Sequence, residues 1–351
     1  MKRRTFAAVT ATLLALSFVV GVFASVDKRR PVKRVAKART NSLVSMLPAS
    51  DAVVTVNGKR FFGEALPKVL AANQKLLGEV LSKLDTMQAK TGVDLRRFDS
   101  FVAGVNIIRK AGNDFDFDPV VVARGAVDSA AVIESVRRTE TVKLREETLA
   151  GHTIYIISAE DILASLKQNV TDPNAVQKAT EFVNDLAVTA IDANTLAIGS
   201  VARVRDTVEH KTTISPDLIG LLGKKAPATV NFAAKVPGGM STLLPLDNDE
   251  LGGNIDSIKT IYGSADVIAG QATISITGRT LQAQQAADLK GTFEGLRDLG
   301  RAFLGGSKAA DKQLYSRLLN NVRITQVANE LSLDLAIAQS DLDALVAIVS
   351  K

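Results

Sequence analysis

The feature that most limits what this chain can fold into is a recurring period of two. Leu331, Leu333, Leu335 and Ile337 alternate with Ser332, Asp334 and Ala336. In an extended strand that spacing puts the four large apolar side chains on one face. Similar short runs occur at Ala52–Asn57, 100–109, 119–126, Val142–Glu147, Thr153–Ser158, Leu186–Ile191, Thr195–Ser200, Ala228–Lys235, 260–269, 271–279 and Val322–Val327. Asn57-Gly58 ends the first run with turn chemistry. Leu149-Ala150-Gly151 and Asp192-Ala193-Asn194 join others at hairpin distance. Joins this short require antiparallel neighbours. No strand–glycine–helix unit of the dinucleotide-binding kind is present.

Helical periods separate these runs. In 62–91, Phe62, Leu66, Leu70, Leu77, Leu81 and Leu84 share one face, and Pro67 starts or kinks the helix. Ser129–Arg138 and Val201–His210 are shorter helices, and 159–185 reads as a helical insertion broken at Asp172-Pro173-Asn174. A long helix from Leu281 to Phe303 carries Ala286, Leu289, Phe293, Leu296 and Phe303 on its apolar face. Further helices span about 309–320 and the stretch from Ser340. Each half then reads strand, helix, strand, strand, helix, strand, strand, helix. The expected fold is α+β: two similar halves, 47–210 and 211–351, each an antiparallel sheet with helices on one face, after an N-terminal membrane segment. The last hairpin corresponds either to 142–158 or to 186–200. If the halves share one unit, Leu289, Phe293 and Leu296 pack on the second sheet as Ala131, Val132 and Val136 pack on the first.

The N-terminus has a different character. Lys2-Arg3-Arg4 precedes Phe6–Ala24, nineteen residues without a charge. Residues 1–26 read as a signal peptide or membrane anchor, with possible cleavage between Ala24 and Ser25. Residues 27–46 read as a basic tether carrying Lys28, Arg29, Arg30, Lys33 and Arg34. Such a tether suits anionic lipid headgroups, at about 1 kcal/mol per basic residue near a surface. Charge on that flank favours a cytoplasmic C-terminal side. The Lys2-Arg3-Arg4-Thr5-Phe6 start resembles a loose twin-arginine signal, a route that tolerates basic flanks. Export, with the folded part in the periplasm, is the expectation.

Residues 1–40 hold ten basic residues and one acid. The remaining chain carries 33 basic and 36 acidic residues, so it has no basic excess suited to nucleic acid. The absence of cysteine excludes disulfides, thiolate metal sites and cysteine nucleophiles.

The candidate sites each have a plainer explanation. In Asn113-Asp114-Phe115-Asp116-Phe117-Asp118 the aspartates share one strand face and the phenylalanines the other. Asp247-Asn248-Asp249-Glu250-Leu251-Gly252-Gly253-Asn254 lacks EF-hand spacing and suits a helix N-terminus. Gly220-Leu221-Leu222-Gly223-Lys224-Lys225 lacks phosphate-loop spacing and suits a helix C-cap. Gly305-Gly306-Ser307-Lys308 is a linker between helices. His152 and His210 are isolated in sequence, no G-x-S-x-G occurs, and Asn169-Val170-Thr171 matches a glycosylation acceptor. No catalytic residue, cofactor or metal is assigned.

Leu47-Pro48-Ala49-Ser50-Asp51-Ala52-Val53-Val54, behind an anchor-like segment, resembles the opening of an uncharacterised, acidobacterial-type family of exported bacterial proteins. The likeness continues through 97–107, 119–125, 194–209 and 246–258. The resemblance implies no known activity. The expected function is a membrane-tethered, non-catalytic envelope protein that binds another protein or a surface component. Two alternatives remain: a small-ligand or lipid binder using the cleft between halves, and an enzyme with a carboxylate site assembled from distant residues.

Overall fold

The computed structural model describes residues 43–110, 115–137, 144–169, 184–225, 227–239, 249–268, 270–307 and 309–349. Ala24, Ser25 and the tether residues Lys28, Arg29, Arg30, Lys33 and Arg34 lie outside the described residues, as does the 19-residue apolar run. Among the described residues no helix is long and apolar enough to cross a membrane.

The strands of the described residues form one twelve-stranded antiparallel sheet. They are β1 (Ala52–Asn57), β2 (Phe98–Arg109), β3 (Phe115–Gly125), β4 (Leu144–Leu149), β5 (His152–Ile157), β6 (Leu186–Asp192), β7 (Thr195–Ser200), β8 (Val230–Lys235), β9 (Thr260–Ile268), β10 (Gln271–Arg279), β11 (Val322–Val327) and β12 (Glu330–Ala338). Their spatial order is β11-β12-β10-β9-β8-β1-β2-β3-β7-β6-β5-β4. The expected pair of sheets is therefore corrected to one. They merge because β1 pairs antiparallel with β8, with Val54 opposite Phe232 and Ala52 opposite Ala234.

From this junction outward, β8-β9-β10-β12-β11 follows the order β1-β2-β3-β7-β6. Hydrogen bonds at matching places support the correspondence. Arg124 Nε donates to Thr195 Oγ1 (2.8 Å), just past the Ala193-Asn194 turn. Arg279 Nε donates to Glu330 Oε1 (2.9 Å), just past the Ala328-Asn329 turn. The amide of Gly125 bonds Asn194 O, and that of Thr280 bonds Asn329 O. The last hairpin thus corresponds to 186–200, and β4–β5 is an addition at the outer edge of half 1.

The helical run α1 comprises Gly58–Arg60, a π turn at Phe61–Ala65, and Leu66–Val69. It is followed by α2 (Gln74–Thr91). The expected single helix breaks after Leu70 and not at Pro67, which lies within the run just past the π turn. Asn73 then caps α2 by accepting from Leu76 N. The remaining helices are α3 (Ser129–Arg137), α4 (Ala159–Asn169), α5 (Val201–Glu209), α6 (Pro216–Gly223), α7 (Asp249–Asp256), α8 (Ala283–Gly305), α9 (Ala310–Asn321) and α10 (Gln339–Val349).

In half 1 the helices lie on both sheet faces, which corrects the expectation of one. On the front, Val204 and Val208 of α5 and Leu218 and Leu221 of α6 join Val53, Val102, Val120 and Ala233 in one buried cluster. Leu43, Val44 and Leu47 belong to it too, so the folded part takes in residues ahead of 47. On the back, Val132 and Ile133 of α3 and Ile162 of α4 cover Phe98, Ala123, Val188 and Leu196. Ala131 points to solvent, so Ile133 takes the place expected for it; the side chain of Val136 is outside the described set.

Apart from α6, the helices of half 2 pack on its back. Leu289 of α8 joins Ile324 and Leu331. Leu342 of α10 joins Val267, Ala272 and Ile337. The front of β10, β12 and β11 carries polar residues, among them Thr277 and Ser332, whose hydroxyls are 2.8 Å apart.

Candidate binding surface on the second half

Twelve large apolar side chains of the described residues are exposed, and ten lie in half 2. Single exposed apolar residues mean little, but clusters mark interaction surfaces. The largest group follows from α8. Ala286 and Leu289 are fully buried against the sheet, and Phe293 is half-buried beside them. The apolar period then continues where the sheet contact has stopped. Leu296, Leu299 and Phe303, spaced i, i+3, i+7, are 42%, 68% and 74% exposed. The expected burial of Leu296 is thereby corrected. Gly300 faces α9, where an added Cβ would lie 2.8 Å from Leu319 Cδ1. Lys312 of α9 stands 5.5 Å from the Phe303 ring centre. Leu281, just ahead of α8, and Val327, at the end of β11, are exposed as well.

A second open apolar area lies on the back of β10. Ile274 and Ile276 are on an interior strand yet 36% and 38% exposed. Val54 and Phe232, paired at the junction of the halves, share that face and are partly exposed.

The polar groups are tightly paired. Glu330 accepts from Lys224 Nζ (2.6 Å), Arg279 Nε (2.9 Å) and Tyr262 Oη (3.0 Å). Burial pushes its carboxyl pKa up, but these bonds outweigh it and hold the group below its ordinary value. Burial, and then Glu330, push the Tyr262 phenol up. Lys224 and Lys225 stand 5.4 and 5.7 Å from the Tyr262 ring centre. A carboxylate with three donors is suited to holding strands and not to proton transfer.

Asp266 links the halves: it takes both oxygens to Arg60 Nη2 of α1 at 2.8 Å and accepts from Thr229 Oγ1 at 2.7 Å. Its pKa is also lowered, with burial opposing and the Thr229 and Arg60 bonds prevailing.

Arg203 is the buried charge that the sequence did not mark. It is 3% exposed. Its Nη1 donates to Ala49 O (2.7 Å) and its Nη2 to Ser50 Oγ. With its amide oriented to suit both neighbours, Asn106 donates to Ala49 O and accepts from Arg203 Nη1. Nε of Arg203 has no hydrogen-bond partner among the described residues. Burial lowers the pKa of Arg203. It fastens the chain's entry into the sheet. In sequence it looks like any helix arginine.

The sequence candidates are scattered through the fold. Asp116 pairs with Lys110 at 2.9 Å, and Phe115 and Phe117 are half-buried; Asn113 and Asp114 lie outside the described residues. The acidic run from Asp249 opens α7, as its composition suggested, while Asp247 and Asn248 are outside the described set. Lys224 and Lys225 follow α6 and turn into the Tyr262–Glu330 cluster. His152 Nδ1 lies 3.0 Å from Ala190 O. His210 takes a left-handed conformation at the end of α5. Asn169 ends α4, and the rest of that tripeptide is outside the described residues. Among the described residues no three His, Cys, Asp or Glu side chains are grouped as metal ligands would be.

No protein-family profile matches the chain, and no curated protein does. Among solved structures it is similar to crystal forms of TP0453. Crystal form III has a TM-score of 0.44 and 11% identity over 87% of this chain and 97% of that one. Crystal form IV has a TM-score of 0.45 and 10% identity over 88% of this chain and 96% of that one.

Proposed function

We propose that the protein is a membrane-tethered, non-catalytic binding protein of the bacterial envelope, made of two copies of one strand series. Its partner docks at the apolar margin of half 2. One observation carries the reading: the Leu296–Leu299–Phe303 stripe continues the buried face of α8 into solvent. An apolar helix face left without a covering layer suits a protein or surface component that supplies one. The N-terminal segment supports the tether, and the family resemblance supports export to the periplasm. The test compares what co-purifies with wild-type chain and with Leu299→Asp/Phe303→Asp after mild solubilisation. Loss of a specific companion from a variant that melts normally is the expected result. An unchanged set of companions overturns the assignment of the surface. Protease added to spheroplasts should digest the folded part; full protection would put it in the cytoplasm.

A second reading has its own support. Ile274 and Ile276, beside Val54 and Phe232, offer an apolar floor between the halves for a small ligand or lipid chain. An environment-sensitive apolar dye should brighten on the wild type and lose at least half of that signal with Ile276→Asp. Equal signals would remove this reading.

A further inference from the structure

We infer that the partner at this margin is a second copy of the chain, joined β11 to β11 in an antiparallel ladder. The inference rests on the binding surface proposed above and names its occupant. Among the described strands β11 ends the sheet and is paired on one side only, to β12. Its counterpart in half 1 is β6, and there the same edge is filled: β5 pairs antiparallel with β6, Ile154 opposite Thr189 through Ile157 opposite Leu186. The resulting outer strand, β4, is guarded by charge. Its Glu146 pairs with Arg137 at 3.2 Å, its Glu147 with Arg205, and its Arg145 approaches Asp185 at 3.8 Å. Charged edges of this kind discourage further strand addition.

Among the described residues β11 has no such guard. Val322-Arg323-Ile324-Thr325-Gln326-Val327 has four β-branched residues, one charge and no proline. It is also compatible with itself. Pairing about a two-fold axis at Thr325 sets Arg323 opposite Val327 and Ile324 opposite Gln326, so no like charges meet. The chain already uses this kind of joint: β1 and β8, the matching strands of the two series, pair about Val54 and Phe232 with the register a local two-fold axis gives.

The helix that carries the stripe covers this edge strand. α8 packs over β11 and β12, while α9 packs over β12 and against α10. Two copies joined at β11 bring their α8 helices to the two sides of one seam.

The experiment uses the full-length chain in mild detergent and measures sedimentation equilibrium. The wild type should form a reversible dimer. Neighbouring N–H groups along a strand point to opposite sides, so of Thr325→Pro and Gln326→Pro only the one facing outward should keep the wild-type melt. That variant should weaken the dimer at least tenfold. A wild type that stays monomeric to about 100 μM overturns the inference, since that is far above what a specific dimer needs. So does a dimer that the fold-retaining proline leaves intact, because the contact then lies elsewhere. If neither proline variant folds, cysteine pairs decide. The chain has no cysteine, so Arg323→Cys, Thr325→Cys and Val327→Cys, oxidised singly and in mixtures, report only this seam. A cross-link in at least one mixture is expected, and none in any overturns the inference. Loss of a different companion in Leu299→Asp/Phe303→Asp, with the wild type monomeric, would leave the binding surface standing and remove self-association alone.

Discussion

Half 1 is covered on both sheet faces, whereas the outer strands of half 2 carry polar side chains on the front and leave Ile274 and Ile276 partly open on the back. The strand series is the same, so the difference comes from what surrounds it. In half 1, α5 follows β7 onto the front, where it meets Leu43, Leu47 and α6. In half 2, α10 follows the longer β12 onto the back, beside Val267 and Leu342's other neighbours. Half 1 also carries the extra hairpin β4–β5 with its charged outer strand. The same scaffold is thus closed at one end and left open, with exposed apolar residues, at the other.

Four measurements would break or sharpen that contrast. The largest effect belongs to the sealed side: Leu218→Ala, at a fully buried front position, should cost about 2–5 kcal/mol in thermal or urea unfolding. A cost below about 1 kcal/mol would mean the front layer built by α5 and α6 is not a true core.

Next is the link between halves. Asp266→Asn should cost about 1–3 kcal/mol, since it weakens a partly buried, bidentate ion pair with Arg60. The pH dependence follows from the lowered pKa values of Asp266 and Glu330. A carboxyl depressed in the fold contributes stability that is complete above its ordinary value, 3.8 and 4.5 for these groups, and is lost as pH falls through the folded value. Stability should therefore decline below about pH 4.5, and Asp266→Asn should show a shallower decline. An unchanged acid limb would show that Asp266 is not coupled to folding.

Phe293→Ala comes third. Full burial of a phenylalanine is worth about 3–5 kcal/mol. Because Phe293 is only half-buried, about 1–3 kcal/mol is expected, and a negligible change would detach α8 from the sheet. The smallest effect should be Leu299→Asp, within about 0.5 kcal/mol, as is usual for surface positions. A large loss there would mean that the stripe is already covered.

Much of this fold could be read from period and turns. Every strand has its run in the sequence, and Leu331 to Ile337 gave β12 its apolar back. What could not be read is long-range pairing. Nothing in Ala52–Asn57 says that one edge faces β2 and the other a strand about 180 residues later. The two expected sheets became one for that reason. Period also gives a helix its face but not the point where the underlying sheet ends, so Leu289 and Leu296 look alike in sequence and differ in burial. Arg203 was invisible for a third reason: its partners are a carbonyl and a hydroxyl from residues 49 and 50, and neutral partners leave no charge pattern. The apolar margin of half 2 was missed because exposure is a property of the neighbours and not of the residue.

The position of β1 has a consequence for how the chain comes to be folded. The first of the described strands is a central one. It gains β2 after about 40 residues of intervening chain, but β8 is synthesised much later. Until then Ala52-Val53-Val54-Thr55-Val56-Asn57 presents an unpaired apolar edge. Such edges capture other chains, and pairings this distant in sequence form slowly. The nascent protein thus has a window of vulnerability that closes only when the second half arrives, and slowing elongation between β7 and β8 should raise aggregation more than an equal pause after β9.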